Sequence, residues 1–370
     1  MYLQALSGSV VTLVAFLLML GLLVLVHELG HFWTARRLGI KVEEFGIGFP
    51  PRAKVLFERD GVLYTLNWLP IGGFVRFGGE GETVYGVGSL AQAAPWKKIS
   101  VLLAGPLMNL FLAMLIFAVL FSLNGTPSAT GVQIGKVFPN TPAAAAGLQN
   151  GDKLIELNGQ QVQSGSQMIS EIATQNAGRP VAVTVQRNGQ PVTLQITPGP
   201  WTTTAGEHIP VGFGFQYSAL MEPVSLPRAV VLGVTHTWDV LGQFIDGLRQ
   251  LFGGLLGVNP PPPGGVTGIV GIARGTGEVI QQDGMQGFWQ WTALISLNLF
   301  LVNLLPIPAL DGSHILFSLI EVLRRGKKVP PEKEAMVHAV GFVMLMGLMV
   351  IITISDISHW ISGAPVFGGG

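Results

Sequence analysis

Long uncharged runs alternate with short basic stretches along this chain, and the runs have the length of membrane-crossing helices. From Met1 to Val26 no side chain is charged. As a helix, Val10–Val26 alone would rise about 26 Å at about 1.5 Å per residue, most of the way across a bilayer's hydrocarbon core. Four stretches qualify as spans: roughly Val10–Trp33, Ile99–Leu123, Phe288–Leu310 and Ala335–Ser355. The third is uncharged, and His338 is the only ionisable group in the fourth.

The pattern changes between the spans. Within Gly61–Glu80, Tyr64, Leu66 and Trp68 alternate with smaller or polar residues and Gly72-Gly73 marks a turn, which predicts a β-hairpin. Its apolar content allows an interfacial or re-entrant position beside the membrane as readily as a solvated loop. Residues Thr126–Pro200 have soluble character. They show short β-patterns at Gln133–Phe138, Lys153–Leu157, Val181–Arg187 and Val192–Thr197, and a helical pattern over Ser166–Gln175. Val224–Val258 is partly amphipathic and reads as helices on the outer membrane surface. Asn259–Gly265, with four consecutive prolines, reads as a stiff linker.

Basic residues orient the spans. Arg36, Arg37, Lys41, Arg52, Lys54, Arg59, Arg76, Lys97 and Lys98 lie between the first and second. Arg324, Arg325, Lys327, Lys328 and Lys333 lie between the third and fourth. By the positive-inside rule both groups are cytoplasmic. The long, sparsely basic central region and both termini are then extracytoplasmic.

Composition sharpens this picture. Only 11% of the 370 residues are charged, against about 25% in an average soluble domain. Mean hydropathy is +0.51. The lipid bilayer is therefore an expected partner. Formal net charge is zero, so nothing suggests nucleic acid. With no cysteine, disulfides, thiolate metal sites and cysteine nucleophiles are excluded. The 50 glycines and 24 prolines show no period, so they read as loops, kinks and close packing. The first apolar run lacks a basic leader and ends in a chemical motif, so it reads as retained and not as a cleaved signal peptide.

That motif is His27-Glu28-Leu29-Gly30-His31. On a helix, positions 27 and 31 lie one turn apart on one face, which lets both imidazoles reach one zinc ion with Glu28 beside them to handle a proton. In a solvated helix two such histidines would need no ligand. In an apolar span there is no solvent to satisfy them, and ionisable groups there are functional by default. A zinc peptidase needs a third protein ligand and an open position. The best candidate is Asp311, which follows Asn303-Leu304-Leu305-Pro306-Ile307-Pro308-Ala309-Leu310. Two prolines break the helix ahead of it. The bland alternative is a turn residue at the membrane surface. The first and third spans both run inward, however, so Asp311 arrives at the depth of His27 and His31. His314 and His338 are weaker candidates, for a supporting role and an interfacial position. Trp96, Trp289, Trp291 and Trp360 suit interfacial anchoring.

Pro142–Gly159, with its Gly151-Asp152 and Asn158-Gly159 turns, resembles the PDZ signature of bacterial membrane proteases. His27–His31, Gly105-Pro106-Leu107-Met108-Asn109 and Asn303–Gly312, in this order around one PDZ domain, resemble the site-2 protease family, best its bacterial zinc metalloproteases of regulated intramembrane proteolysis. The resemblance implies zinc held by His27, His31 and Asp311, Glu28 as catalytic base, and polar assistance from Asn109 and Asn303. Helix–helix hydrogen bonding is an alternative role for the two asparagines. It also implies cleavage of single-pass membrane proteins, of anti-sigma factor or remnant signal peptide type, in a bacterial inner (plasma) membrane. The PDZ domain would bind a peptide or substrate segment. Three loop positions depart from the family's usual pattern: Phe49 after Gly48, the proline-free stretch Gly265–Ile272, and Ser313 after Gly312.

The expected fold is a polytopic α-helical membrane protein of about four transmembrane helices, with a membrane-associated β-hairpin and an extracytoplasmic α+β PDZ domain. The expected divisions are a membrane core over 1–125, the PDZ domain over 126–200, linker and surface helices over 201–285, and a second membrane core over 286–370. Two rival functions are a non-catalytic membrane PDZ adaptor and a metal-ion transporter. The glutamate inside the motif favours hydrolysis over transport.

Overall fold

The computed structural model describes residues 2–78, 88–162, 167–202, 208–255, 257 and 267–362. The chain divides into two compact units, one of Met1–Leu120 with Val230–Gly370, the other of Phe121–Ala229.

The first unit begins with α1 (Tyr2–Arg37), whose end is marked by Arg36 and Arg37 in the last turn. Two long strands follow, β1 (Val42–Arg59) and β2 (Val62–Phe77), paired antiparallel. The hairpin turn is Asp60-Gly61, both at positive φ (52° and 72°), and not the expected Gly72-Gly73. An Asp-Gly pair suits a two-residue hairpin because both central positions need φ > 0. Both strands also fold back, so that Glu44–Ile47 has β2 on either side: Ile47 pairs with Leu66 and with Gly73. Gly72 has a different task. At φ 77° it packs against Val24 of α1, where a Cβ would lie 2.6 Å from a Val24 methyl. The buried Glu44 carboxylate ties the fold-back together. It accepts from Thr65 Oγ1 at 2.8 Å and Arg52 Nε at 3.0 Å, and pairs with Arg76 at 2.8 Å. α2 (Pro95–Asn124) follows, with Pro106 inside it.

The second unit is built on a sheet of β3 (Thr126–Val137), β4 (Lys153–Leu157), β5 (Gln160–Gln161), β6 (Val181–Arg187), β7 (Gln190–Ile196) and a later strand, β10 (Phe215–Glu222). Its strand order is β10-β3-β4-β6-β7, with β5 on β4. Two short helices, α3 (Pro142–Ala145) and α4 (Met168–Gln175), complete the fold, and β8 (Gly199–Thr202) pairs with β9 (His208–Gly212). Ile134, Leu154, Leu157, Val181, Val183, Val185 and Ile196 fill the core. Where sequence alone suggested linker after residue 200, β10 returns to pair with β3. Ser166, the expected start of α4, lies outside the described residues.

Back in the first unit, α5 (Leu226–Leu255) is one amphipathic helix in place of several. It meets α2 at Gly233 against Ala118 and at His236, edge-on to Phe117. The linker Asn259–Gly265 lies outside the described residues. α6 (Ile269–Leu304) is interrupted at Gly284, and α7 (Asp311–Leu323) and α8 (Pro331–Ile361) close the chain. α7 was not anticipated from sequence. Among the described residues, three segments are long and apolar enough to cross a membrane: Ser9–Arg37, Pro95–Asn124 and Pro331–Ser358. The expected third span is not among them, because Gln290, Asn298 and Asn303 lower the hydropathy of the second half of α6.

Two apolar clusters hold α1. Phe16, Met19 and Leu23 pack with Phe288 and Ile295 of α6. Phe32 and Ala35 pack with Phe45, Val62 and Phe77 of the strands and Val101 of α2. Trp291 belongs to this packing. It is partly buried against the α6 cluster and donates to Thr276 Oγ1 at 3.2 Å.

Candidate metal centre

Helices in lipid gain little from apolar burial against one another, so they associate where small residues allow close approach. α1 and α2 do this at Gly30 and Gly105. A Cβ on Gly30 would strike the Ala104 carbonyl, and one on Gly105 would strike the imidazoles of His27 and His31. The contact brings the motif face of α1 against α2 and buries both histidines.

Asp311 completes the group from the other end of the chain. α6 ends at Leu304, Pro306 and Pro308 supply no N–H to extend it, and the chain turns through Ala309 (φ 73°) before Asp311 starts α7. His27 Nε2 lies 3.0 Å from His31 Nε2 and 3.0 Å from Asp311 Oδ2, and His31 Nε2 lies 3.4 Å from that oxygen. Three donors of this kind, two imidazole nitrogens and one carboxylate oxygen, suit a catalytic zinc that keeps a fourth position open. Ligands at about 2.0–2.1 Å on a tetrahedron are separated by about 3.3 Å, which is the spacing seen.

The surrounding hydrogen bonds favour the same use. His31 Nδ1 lies 2.8 Å from the Val101 carbonyl, so it carries the proton there and leaves the Nε2 lone pair for a metal. Asn109 is fully buried and its side-chain amide lies 3.4 Å from His27 Nδ1. Its Oδ1 has no partner among the described residues. An amide offers an acceptor and a donor end. Turned to present Oδ1, Asn109 accepts from His27 Nδ1–H and frees Nε2 of that ring as well. The Asn109 backbone carbonyl accepts from Ser296 Oγ of α6 at 2.8 Å.

Glu28 is half-buried on α1 beside the two histidines. A Cβ on Gly73 of β2 would lie 4.0 Å from Glu28 Cγ, so the fold-back of β2 runs past this carboxylate. Asn303 is half-buried in the last turn of α6. No hydrogen bond joins it to the cluster among the described residues. Sequence reasoning missed Val101, whose role depends on where α1 and α2 cross. A second group, His314, Glu334 and His338, also gathers donor atoms close together.

Apolar helices that bring two histidines, an aspartate and a neighbouring glutamate together define a membrane metallohydrolase. Residues 15–348 match Peptidase family M50, and the chain belongs to that family; it is a zinc metalloprotease of a bacterial membrane. It is similar to zinc metalloprotease RasP of Oceanobacillus iheyensis, 30% identical over 431 residues, covering 94% of this chain and 99% of that protein. RasP of Geobacillus kaustophilus is 31% identical over 428 residues, with 94% and 98% covered. The regulator of sigma-W protease RasP of Bacillus subtilis is 31% identical over 429 residues, again with 94% and 98% covered.

Proposed function

We propose that this metalloprotease cuts single-pass membrane proteins within or near their transmembrane segment, with zinc held by His27, His31 and Asp311. The carrying observation is the convergence of these three donors, 3.0–3.4 Å apart, from helices at opposite ends of an apolar chain. When bound, zinc supplies Lewis acidity to a water nucleophile and to the scissile carbonyl. Glu28 takes the water proton and returns it to the leaving amine. Asn109 keeps His27 oriented, and Asn303, in the last turn of α6, donates to substrate backbone. A substrate helix hides its peptide bonds in internal hydrogen bonds, so it must be extended before it is cut. The β2 backbone beside Glu28 offers a strand partner for that extended segment.

The sigma-W regulator in the name of the Bacillus subtilis relative supports anti-sigma factors as the substrate class; remnant signal peptides are the second candidate. We take the second half of α6 as a fourth span. The basic residues flanking α1, α2 and α7 support a site toward the cytoplasm and residues 126–200 outside it. The strands and turns of that region support a PDZ-type peptide site, one that either filters clients by size or captures a freed carboxylate. A metal-ion transporter would need no base beside its ligands, and a non-catalytic adaptor would need none of this site.

The test is cleavage of a model single-pass substrate in detergent by wild type and Glu28→Gln, with zinc quantified in both. Cleavage by wild type alone, at near-stoichiometric zinc in both, is expected. Equal cleavage by the two would remove Glu28 from the mechanism.

A further inference from the structure

His314, Glu334 and His338 invite reading as a second metal site, but their hydrogen bonds point elsewhere. His338, on α8, accepts the Ala309 backbone N–H on Nδ1 at 3.0 Å. Ser313 Oγ lies 3.5 Å from the same nitrogen, but its proton goes to the Leu310 carbonyl at 2.7 Å. A neutral ring that accepts on Nδ1 carries its hydrogen on Nε2. His338 Nε2 is therefore a donor. Among the described residues it is buried with no hydrogen-bond partner, and the nearest carboxylate oxygen, Glu334 Oε1, is 4.0 Å away. A metal on Nε2 would require a hydrogen on Nδ1, facing the Ala309 N–H donor to donor. The stacked His314 ring, 4.1 Å away at 17°, adds a contact but no way around that conflict.

What His338 does hold is the segment leading into Asp311. Ala309 sits at φ 73°, where side-chain-bearing residues are rarely found, in a turn that the Leu310 N–H closes onto the Ile307 carbonyl at 3.1 Å; that one bond leaves the Ala309 amide itself to be held from outside the loop. The loop itself has few donors, since Pro306 and Pro308 have no N–H. α8 reaches it twice. His338 takes the Ala309 amide, and one turn on, Gly341 lies so close to Pro308 that a Cβ would overlap the proline ring.

We propose that His338 is a positioning residue for the metal centre: by holding the Ala309 amide on Nδ1, it fixes the turn that places Asp311 against His27 and His31. This rests on the reading of Asp311 as a zinc ligand. Asparagine puts an acceptor near the place of Nδ1, whereas glutamine reaches toward Nε2, so the two variants separate the roles of the two nitrogens.

The experiment measures zinc affinity by chelator competition on the full-length protein in detergent, for wild type, His338→Asn, His338→Gln, His338→Ala and Asp311→Ala. Thermal unfolding of each zinc-free form is recorded alongside. The expected result is an affinity close to wild type for the asparagine variant and a loss of about 10- to 100-fold for the glutamine and alanine variants, the size typical of outer positions around a metal. The zinc-free melting temperatures should agree. Equal effects of asparagine and glutamine overturn the proposal, as does a glutamine variant already unstable without zinc. A second equivalent of zinc in wild type that is lost with His338 also overturns it, in favour of a metal site. Should Asp311→Ala keep full affinity, the ligand reading itself fails. Should Asp311→Ala lose zinc while glutamine and alanine at 338 do not, only the positioning role fails.

Discussion

No methyl group fits between Gly105 of α2 and His31 of α1: a Cβ there would overlap Nε2 of His31 and lie 2.7 Å from Nε2 of His27. These are the nitrogens proposed to bind zinc. Gly105→Ala should push the rings apart at a cost of about 1–3 kcal/mol, the usual range for overpacking. Zinc affinity should fall by roughly 5- to 150-fold in chelator competition. An alanine variant with unchanged affinity would mean that α2 does not shape the centre.

Asp152 in the second unit is almost fully buried and receives Arg187 Nε at 2.8 Å, Arg187 Nη2 at 2.6 Å and the Gln149 N–H at 2.9 Å. Burial pushes its carboxyl up, but the Arg187 pair and the Gln149 N–H outweigh that and hold it below the ordinary carboxylate range. A depressed folded value stabilises above the unfolded pKa of about 3.9 and loses that stabilisation as pH falls through the folded value. Asp152→Asn should therefore destabilise residues 121–229 by about 1–3 kcal/mol at pH 7. The gap between variant and wild type should shrink as the pH drops below about 4. Acid-stable proteolysis with cuts mapped within this unit reads both; a gap independent of pH would reject the ion-pair account.

Asp356 of α8 caps α6 from across the unit, accepting the N–H groups of Gly268 at 3.1 Å and Gly271 at 2.8 Å. These are among the first donors of a helix, which have no partner within it. Asp356→Ala should cost about 0.5–2 kcal/mol, as removal of a cap does, and Asp356→Asn should recover much of it. Thermal unfolding in detergent gives the comparison. If alanine melted with wild type, the cap would add nothing.

The elements legible in the sequence are those whose signal is local. The uncharged runs give α1, α2 and α8, and the alternation in Lys153–Leu157 and Val181–Arg187 gives β4 and β6 with the bounds observed. The β1–β2 turn was misplaced because Gly72-Gly73 and Asp60-Gly61 both look like turns. Only tertiary packing reveals that Gly72 makes room for Val24. β10 was missed because its partner, β3, lies some 80 residues earlier. At the centre, donor chemistry exposed His27, His31 and Asp311. Val101 leaves no trace in sequence, because any residue there supplies the same carbonyl.

His31 and Asp311 stand about 280 residues apart. A ribosome adding about 5–20 residues per second needs roughly 15–60 s to cover that distance. Throughout that interval the newborn chain carries a two-histidine half-site without its carboxylate partner. With the proposed ligands in this order along the polypeptide, cutting power would be withheld until the later helices have been made.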